Sequence, residues 1–281
     1  MILFKKAGDL NIHLQKLRSQ NLKIGFVPTM GALHGGHVSL IERSKSEIDI
    51  TVCSIYVNPL QFNNKKDFET YPLKPEADIL LLEHTGCDIL FHPTENQIYP
   101  DQDPMRSFDL GRLEQIFEGK FRPGHFQGVC LIVEKLLGLV KPNQLYLGQK
   151  DYQQTLVIKK LVQLMGMDIG VTVCPTFREE SGLAMSSRNL RLNVAERELA
   201  SELYKSLMKI SKELFSRDIE ALKDEAIARL ESIGFKVEYL EIATTDGLQA
   251  VQKIEPKYSY IILIAAFLGS VRLIDNLMVT G

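Results

Sequence analysis

The chain has 281 residues, 45% hydrophobic and 24% charged, which is enough to bury a core in one large or two modest domains. A formal net charge of −2 argues against a nucleic-acid partner, and the four cysteines lie far apart in apolar surroundings, as expected for reduced thiols. Residues 1–10 contain no apolar stretch long enough for a signal peptide, and the longest apolar run, residues 261–268, is too short to span a membrane. We therefore expect a cytoplasmic protein that binds neither nucleic acid nor membrane.

Strand-like and helix-like segments alternate up to about Pro175. The predicted strands, rich in Val, Ile and Tyr, are residues 23–27, 50–57, 88–91, 144–147 and 169–174. Amphipathic helices are predicted between them, including residues 75–84, 127–140 and 152–165. This alternation predicts an α/β fold with a Rossmann-like parallel sheet domain over residues 1–175. Ligands of such sheets bind beyond the carboxyl ends of the strands.

After Pro175 the pattern changes. Asn193 and Glu196 have the spacing of a capping box, and one long helix is predicted to follow them. Further elements are predicted as a helix over residues 219–233 and strands over residues 236–242, 260–267 and 271–277. We therefore expect a smaller α+β C-terminal domain over residues 176–281.

Two histidines in a glycine-rich turn carry the clearest chemical signal. His34 and His37 stand between an apolar strand-like run and a helix-like segment. Such a junction presents unpaired N–H groups and a positive dipole end, so a phosphate is its natural occupant. The glycines fit neither a dinucleotide fingerprint nor a P-loop. Alternatives are a metal site, although no nearby cysteine completes a ligand set, or a turn with merely exposed histidines.

Other polar segments follow predicted strands. Asn58 and Gln61 carry amides that can fix a polar substrate, or they belong to a capped loop. Lys150 suits a phosphate, while its neighbour Asp151 is equally explained as a helix cap. The basic loop of residues 118–126 fits a lid or a helix entry.

A second phosphate-suited stretch lies far downstream, in the loop of residues 176–192. Ser186, Ser187 and Arg188 offer hydroxyls and a guanidinium, which suit a polyphosphate, and a hinge loop can close after ATP binds. The alternative is a solvated linker. Together with the histidine turn, this stretch predicts chemistry on ATP.

In combination and order, these motifs resemble the pantoate–β-alanine ligase family of the HIGH/KMSKS nucleotidyltransferase superfamily, over essentially the whole chain. The motifs are residues 28–31 with 34–37, 58–59 with 61–62, 122–126, 148 with 150–151, and 182–189. The resemblance implies a ligase that condenses (R)-pantoate with β-alanine through a pantoyl adenylate, releasing pyrophosphate and then AMP. It also implies ATP as a substrate, Mg²⁺ with unidentified protein ligands, and a homodimer formed through the N-terminal domain.

The resemblance further implies residue roles. His37, His34 and Lys150 would be catalytic, Gln61 would bind both pantoate and β-alanine, and Gln154 would bind pantoate. ATP would be bound by Met30, Gly31, Ala32, Leu33, His34, Gly35, Gly36, His37, Gly148, Gln149, Lys150, Asp151, Phe177, Met185, Ser186, Ser187 and Arg188. At Phe177 the family more often has a small aliphatic residue beside the adenine.

Two other functions compete with this one. Another nucleotidyltransferase of the superfamily would transfer AMP or CMP to a phosphorylated acceptor and keep it in the product. Such an enzyme would need a basic pocket for its acceptor, whereas this chain has glutamines there. A non-enzymatic nucleotide-binding module would have little use for paired histidines. The lack of a Ser-His or Cys-His signature agrees with a route that needs no covalent nucleophile.

Overall fold

The structure, a computed structural model, describes residues 1–100 and 106–281. These residues divide into two compact units. Unit 1 consists of Met1–Gly148 and Gln154–Pro175, and unit 2 consists of Gln149–Gln153 and Thr176–Gly281. Among the described residues, every helix is too short or too polar to cross a bilayer.

Strands and helices alternate through the first part of the chain. The strands are β1 (Ile2–Phe4), β2 (Ile24–Thr29), β3 (Ile50–Ile55), β4 (Ile89–Phe91), β5 (Gln144–Gly148) and β6 (Gly170–Cys174). The helices are α1 (Ala7–Ser19), α2 (Gly35–Glu47), α3 (Lys65–Glu69), α4 (Pro75–His84), α5 (Glu95–Ile98), α6 (Phe117–Phe121), α7 (His125–Val140) and α8 (Tyr152–Leu164). Short 3₁₀ turns lie at Pro59–Gln61, Gly111–Glu114 and Gln149–Asp151.

The described strands of unit 1 form a six-stranded sheet in the order β1-β4-β3-β2-β5-β6. Every neighbouring pair is parallel, so the predicted Rossmann-like α/β architecture is confirmed. β2 lies between β3 and β5, and its residues are almost continuously buried, as expected for a strand covered by helices on both faces. The carboxyl ends of β2, β3 and β5 therefore lie side by side at one edge of the sheet.

β1 is a strand that the sequence prediction missed. It has three residues and pairs only with β4, in register from Ile2↔Ile89 to Phe4↔Phe91. Ile2 and Leu3 are exposed. This short segment therefore does not show the run of buried apolar residues, bounded by turn residues, from which the other strands were predicted. The predicted strand over residues 50–57 was also too long, because β3 ends at Ile55.

Unit 2 is the predicted smaller α+β region. Its main elements are α9 (Val194–Ala200), α10 (Glu202–Glu213), α11 (Ile219–Ser232), β7 (Phe235–Thr244), β8 (Ser259–Leu268) and β9 (Val271–Thr280), with a 3₁₀ turn at Ser187–Arg191. The three strands form an antiparallel sheet in the order β7-β8-β9. Their apolar faces share a core with the helices, including Leu207, Leu230 and Ile264.

The expected single long helix after Asn193 is two helices, which is a correction. α9 ends at Ala200 and α10 begins at Glu202. At the junction the N–H of Ser201 donates to the carbonyl oxygen of Glu198, three residues back, at 3.4 Å, which is a tighter turn than the α-helix makes.

A glycine permits close contact between α7 and the 3₁₀ turn at Pro59–Gln61. A Cβ added at Gly128 would lie 2.2 Å from the backbone oxygen of Leu60 and 2.6 Å from Cα of Gln61, whereas a Cβ at the exposed Gly138 of the same helix would meet nothing within 4 Å. Helix and turn therefore touch backbone to backbone.

We expect opposite effects when these two glycines are replaced by alanine. Gly138→Ala should stabilise unit 1 by up to about 1 kcal/mol through helix propensity. Gly128→Ala should destabilise it by about 1–3 kcal/mol, because the clash is with backbone that cannot rotate away. Urea unfolding midpoints measure both effects, and a stabilised Gly128→Ala variant would contradict the close contact.

Candidate active site

The turn between β2 and α2 is held by a buried carboxylate from α4. Asp78 accepts the N–H of Ala32 at 2.8 Å on Oδ2 and that of Leu33 at 2.7 Å on Oδ1. The turn needs this support at Ala32, whose φ of +47° lies in the left-handed region, whereas Gly31 adopts its φ of +80° without strain. Asp78 is 3% exposed, and its charge is compensated by these two backbone donors.

The paired histidines are part of the start of α2. The N–H of Gly36 donates to Nδ1 of His34 at 3.1 Å, and the N–H of His34 donates to Nδ1 of His37 at 3.3 Å. The two rings are half-buried, with centroids 4.1 Å apart. Since both Nδ1 atoms accept, the proton of each neutral imidazole is on Nε2. Each ring is therefore prepared as an Nε2–H donor, the group that a phosphate oxygen accepts.

Asn58 and Gln61 follow β3 and are bonded into unit 1. Asn58 donates Nδ2 to the Gly128 carbonyl oxygen at 3.0 Å and accepts from the N–H of Leu60 at 3.3 Å, so it caps the 3₁₀ turn. Nε2 of Gln61 lies 2.8 Å from Sδ of Met30. The structure thus brings together the predicted substrate residue Gln61 and the first residue of the predicted ATP-binding turn.

A buried histidine holds the backbone of Gln61. Nδ1 of His125 lies 2.7 Å from the Gln61 carbonyl oxygen, and Nε2 lies 2.9 Å from Nη1 of Arg122. A carbonyl only accepts and a guanidinium only donates, so His125 must be neutral with its proton on Nδ1. Arg122 also faces Glu118 at 3.5 Å. In the segment of residues 118–126, for which the sequence left a lid or a helix entry open, α6 ends at Phe121 and α7 begins at His125, whose side chain holds Gln61.

The remaining predicted residues of unit 1 are Gly148 and Gln154. Gly148 ends β5, paired with Cys174 of β6. Gln154 lies in the first turns of α8 and is half-buried, whereas the preceding Gln153 is 3% exposed. Of the two glutamines, Gln154 is therefore the one with surface available to a substrate.

Unit 2 carries the other predicted site residues. Lys150 and Asp151 lie in the 3₁₀ turn before α8, with Nζ 3.6 Å from Oδ2 of Asp151. Ser186 accepts the N–H of Arg188 on its hydroxyl at 3.3 Å and caps the 3₁₀ turn that contains Ser187. The predicted polyphosphate stretch is therefore an ordered, capped turn.

Phe177 presents its side chain outward, with 45% of its surface exposed. Its carbonyl oxygen accepts the N–H of Met185 at 3.0 Å, so the two ends of the intervening loop are joined by backbone. This bond uses only main-chain atoms, and a larger side chain at this position is therefore compatible with it.

Two polar residues of β9 belong to the same region of unit 2, and the sequence prediction missed both. Nδ2 of Asn276 donates to the carbonyl oxygens of Gln149 and Lys150, at 2.9 and 2.8 Å. Burial raises the pKa of the Asp275 carboxyl, and the guanidinium of Arg178 opposes that shift. The available signal was a pair of consecutive polar residues inside a largely apolar strand.

Asp78 and His125 are the residues that sequence reasoning did not assign in unit 1. Asp78 lies within a predicted helix, where an acidic residue near the helix start has an ordinary explanation. Over residues 1–100 and 106–281, no three His, Cys, Asp or Glu side chains gather as a metal site.

A parallel sheet with a glycine-rich turn and a helix start at its carboxyl edge defines the class of α/β proteins that bind ligands beyond the strand ends. The sequence profile of the pantoate–β-alanine ligases matches residues 2–278. The chain belongs to the pantoate–β-alanine ligase family.

Relatives agree with this assignment. A pantothenate synthetase of Cytophaga hutchinsonii is 44% identical over 283 residues, covering 99% of each chain. The crystal structure of pantothenate synthetase from Thermus thermophilus superposes with a TM-score of 0.92 at 36% identity and full coverage of both chains. That of pantoate–β-alanine ligase from Francisella tularensis, complexed with β-γ ATP and β-alanine, gives 0.84 at 42% identity, covering 99% of this chain and 97% of that chain.

Two replacements of His125 should distinguish the effect of its hydrogen bond to Gln61 from the effect of its side-chain volume. Asparagine places an amide N–H where Nδ1 stands, whereas glutamine places it nearer Nε2. If Gln61 binds pantoate, His125→Gln should raise the pantoate KM by about 5- to 30-fold, the loss of roughly one hydrogen bond to a buried partner. His125→Asn should stay within about threefold of the parent, and the ATP KM should change little in both.

Steady-state kinetics with each substrate varied in turn provides the measurement. Circular dichroism and unfolding midpoints show whether the two variants are equally folded. Equal losses in the asparagine and glutamine variants would contradict the assigned role of Nδ1.

Proposed function

We propose that the chain joins (R)-pantoate to β-alanine with ATP, giving pantothenate, AMP and pyrophosphate. Membership of the family supports the proposal, as do the β-γ ATP and β-alanine in the complex of the Francisella relative. The observation that carries it is the turn at Met30–His37. There a buried carboxylate fixes the backbone, and both histidines are set as Nε2–H donors at the carboxyl edge of the sheet.

The proposed chemistry follows from the weakness of a carboxylate as an acylating agent. The pantoate carboxylate oxygen attacks the α-phosphorus of ATP, the bond to the β-phosphate oxygen breaks, and pyrophosphate leaves. The β-alanine amine then attacks the acyl carbon, AMP leaves with the bridging oxygen, and the amine loses a proton. Neither step needs a protein nucleophile. Catalysis rests on positioning and on donors around the phosphorus as its charge develops.

The residue roles in this proposal are those that the resemblance implies. The turn at Met30–His37 binds the ATP phosphates, with His37 and His34 donating to them, and Lys150 supplies a positive charge. The stretch at Met185–Arg188 closes the polyphosphate site. Gln61 borders both pantoate and β-alanine, and Gln154 is the second pantoate contact. Amides suit pantoate because its hydroxyls and carboxylate require both donors and acceptors.

We propose that Mg²⁺ enters on the ATP phosphates and neutralises part of their charge. The described residues offer no ready cluster of three metal-binding side chains, and a cation carried mainly by phosphate oxygens and water fits such a site.

The proposal also covers organisation and location. Residues 1–175 would be the ATP- and pantoate-binding domain, and residues 176–281 the C-terminal lid domain. A homodimer through the N-terminal domain is proposed on the family resemblance. Sedimentation of the purified chain measures its mass. A cytoplasmic location is supported by four buried free cysteines.

Oxygen-18 labelling tests the proposed route. With ATP and pantoate alone, we expect pyrophosphate and an enzyme-bound intermediate. When β-alanine is added, label from the pantoate carboxylate should appear in AMP, because the attacking oxygen stays on phosphorus. Label in inorganic phosphate, with ADP formed, would replace the adenylate by an acyl phosphate. A nucleotide retained in the final product would instead favour a nucleotidyltransferase.

Alanine replacements of the two glutamines should affect pantoate more than ATP. Each replacement leaves groups of bound pantoate without a partner, which costs about 1–3 kcal/mol, or roughly 5- to 150-fold in the pantoate KM. ATP affinity, measured by calorimetry without pantoate, should change far less. Gln163→Ala, at an exposed position of the same helix as Gln154, is the control. Loss of ATP binding with normal use of pantoate would reverse the assignment.

A further inference from the structure

Asp275 and Asn276 are two consecutive buried polar residues in the middle of β9. They are 4% and 1% exposed, and they pair across the sheet with Ile264 and Leu263 of β8. Burying a carboxylate and a carboxamide is costly unless their polar atoms are hydrogen-bonded. Their partners should therefore reveal why the strand contains them.

Both polar atoms of the Asn276 carboxamide form hydrogen bonds. Nδ2 donates to the carbonyl oxygens of Gln149 and Lys150, and Oδ1 accepts from Nε2 of Gln149 at 3.1 Å. Two successive main-chain carbonyls are thus held by one side chain. This contact fixes the backbone from which the Lys150 side chain extends.

Asp275 holds a second segment of unit 2, the one that contains Arg178. Arg178 donates Nη1 to Oδ2 at 2.6 Å and Nη2 to Oδ1 at 2.9 Å, a bidentate ion pair. The same guanidinium donates to the Gly182 carbonyl at 3.1 Å and lies 3.8 Å from the ring centroid of Tyr204. The backbone N–H of Asn276 also donates to Oδ1 of Asp275, at 2.7 Å. The Asp275 carboxylate therefore holds the part of β9 that carries Asn276.

We infer that Asn276 is a positioning residue for Lys150, and that the Asp275–Arg178 ion pair keeps Asn276 in place. The inference rests on the proposed role of Lys150 at the ATP phosphates. A lysine is a point charge on a flexible stem, so its placement depends on the backbone that carries it. With that backbone held, the ammonium needs little reorganisation when charge develops on the phosphates.

A double-mutant cycle tests the inference through the rate of adenylate formation, measured as pyrophosphate release with ATP and pantoate. Asn276→Ala should lower the rate about 10- to 100-fold, as expected for a misplaced catalytic group. Lys150→Ala should lower it at least as much. In the Lys150→Ala background, Asn276→Ala should cost less than about threefold more, because the group that it positions is gone.

Leu273→Ala is the matched control, since Leu273 is a buried apolar residue of the same strand, 4% exposed. It should destabilise unit 2 and, below the unfolding transition, leave the rate within about threefold in either background. Asn276→Asp is the second variant. It keeps the shape and turns the donor into an oxygen facing two carbonyl oxygens, so it should be at least as slow as Asn276→Ala.

Normal rates in both Asn276 variants would overturn the inference. The inference would also be overturned if the rate losses of Asn276→Ala and Lys150→Ala multiplied in the double variant. Failure of both Asn276 variants to fold would overturn it too, because the role of the residue would then be structural. A normal rate in Lys150→Ala would instead remove Lys150 from the proposed mechanism, and the inference with it. The pattern of single and double variants therefore separates the two claims.

Discussion

The geometry of the N-terminal site depends on one buried carboxylate. Asp78 takes the N–H groups of Ala32 and Leu33 and thereby keeps the turn after β2 in a left-handed conformation that an alanine seldom adopts. The orientation of His34 and His37 follows from this turn, since their rings are bonded to the first backbone N–H groups of α2. Removing the carboxylate would take one acceptor from each of these two N–H groups and remove a support of the left-handed turn.

Buried polar side chains from distant parts of the chain hold the loops of both units. In unit 1, Asp78 and His125 bond to main-chain groups of the histidine turn and of Gln61. In unit 2, Asn276 does the same for the turn that carries Lys150. In each case the bond is to backbone, so it fixes the chain without using the side chain of the loop. Hydrogen bonds of this kind set orientation firmly, because they are strong in the interior and leaving a buried polar group unpaired is costly.

The sequence predicted the fold well because the strongest signals were regular. β2, β3 and β4 are mostly apolar and almost continuously buried, and the terminal hairpin of β8 and β9 has its turn at Gly269, where φ is +56°. β1 was missed because it is short, exposed and recognisable only by its pairing with β4. The break at Ser201 was missed because it is a single tightened turn, and the apolar periodicity continues from one side of it to the other.

The candidate site was predictable only in part, because some of its residues carry a recognisable sequence signal and others do not. Residues that would meet a ligand, such as His37, Lys150 and Gln61, occur at a helix start or in short 3₁₀ turns, where glycine or a strand end marks them. Residues that hold those loops have no such mark, because a carboxylate in a helix or an amide in a strand has common structural explanations. Their partners are main-chain atoms far away in sequence, at separations of 46 residues for Asp78 and Ala32 and 126 for Asn276 and Lys150. Only the folded chain brings these groups together, so the support of an active site is harder to read from sequence than the active site itself.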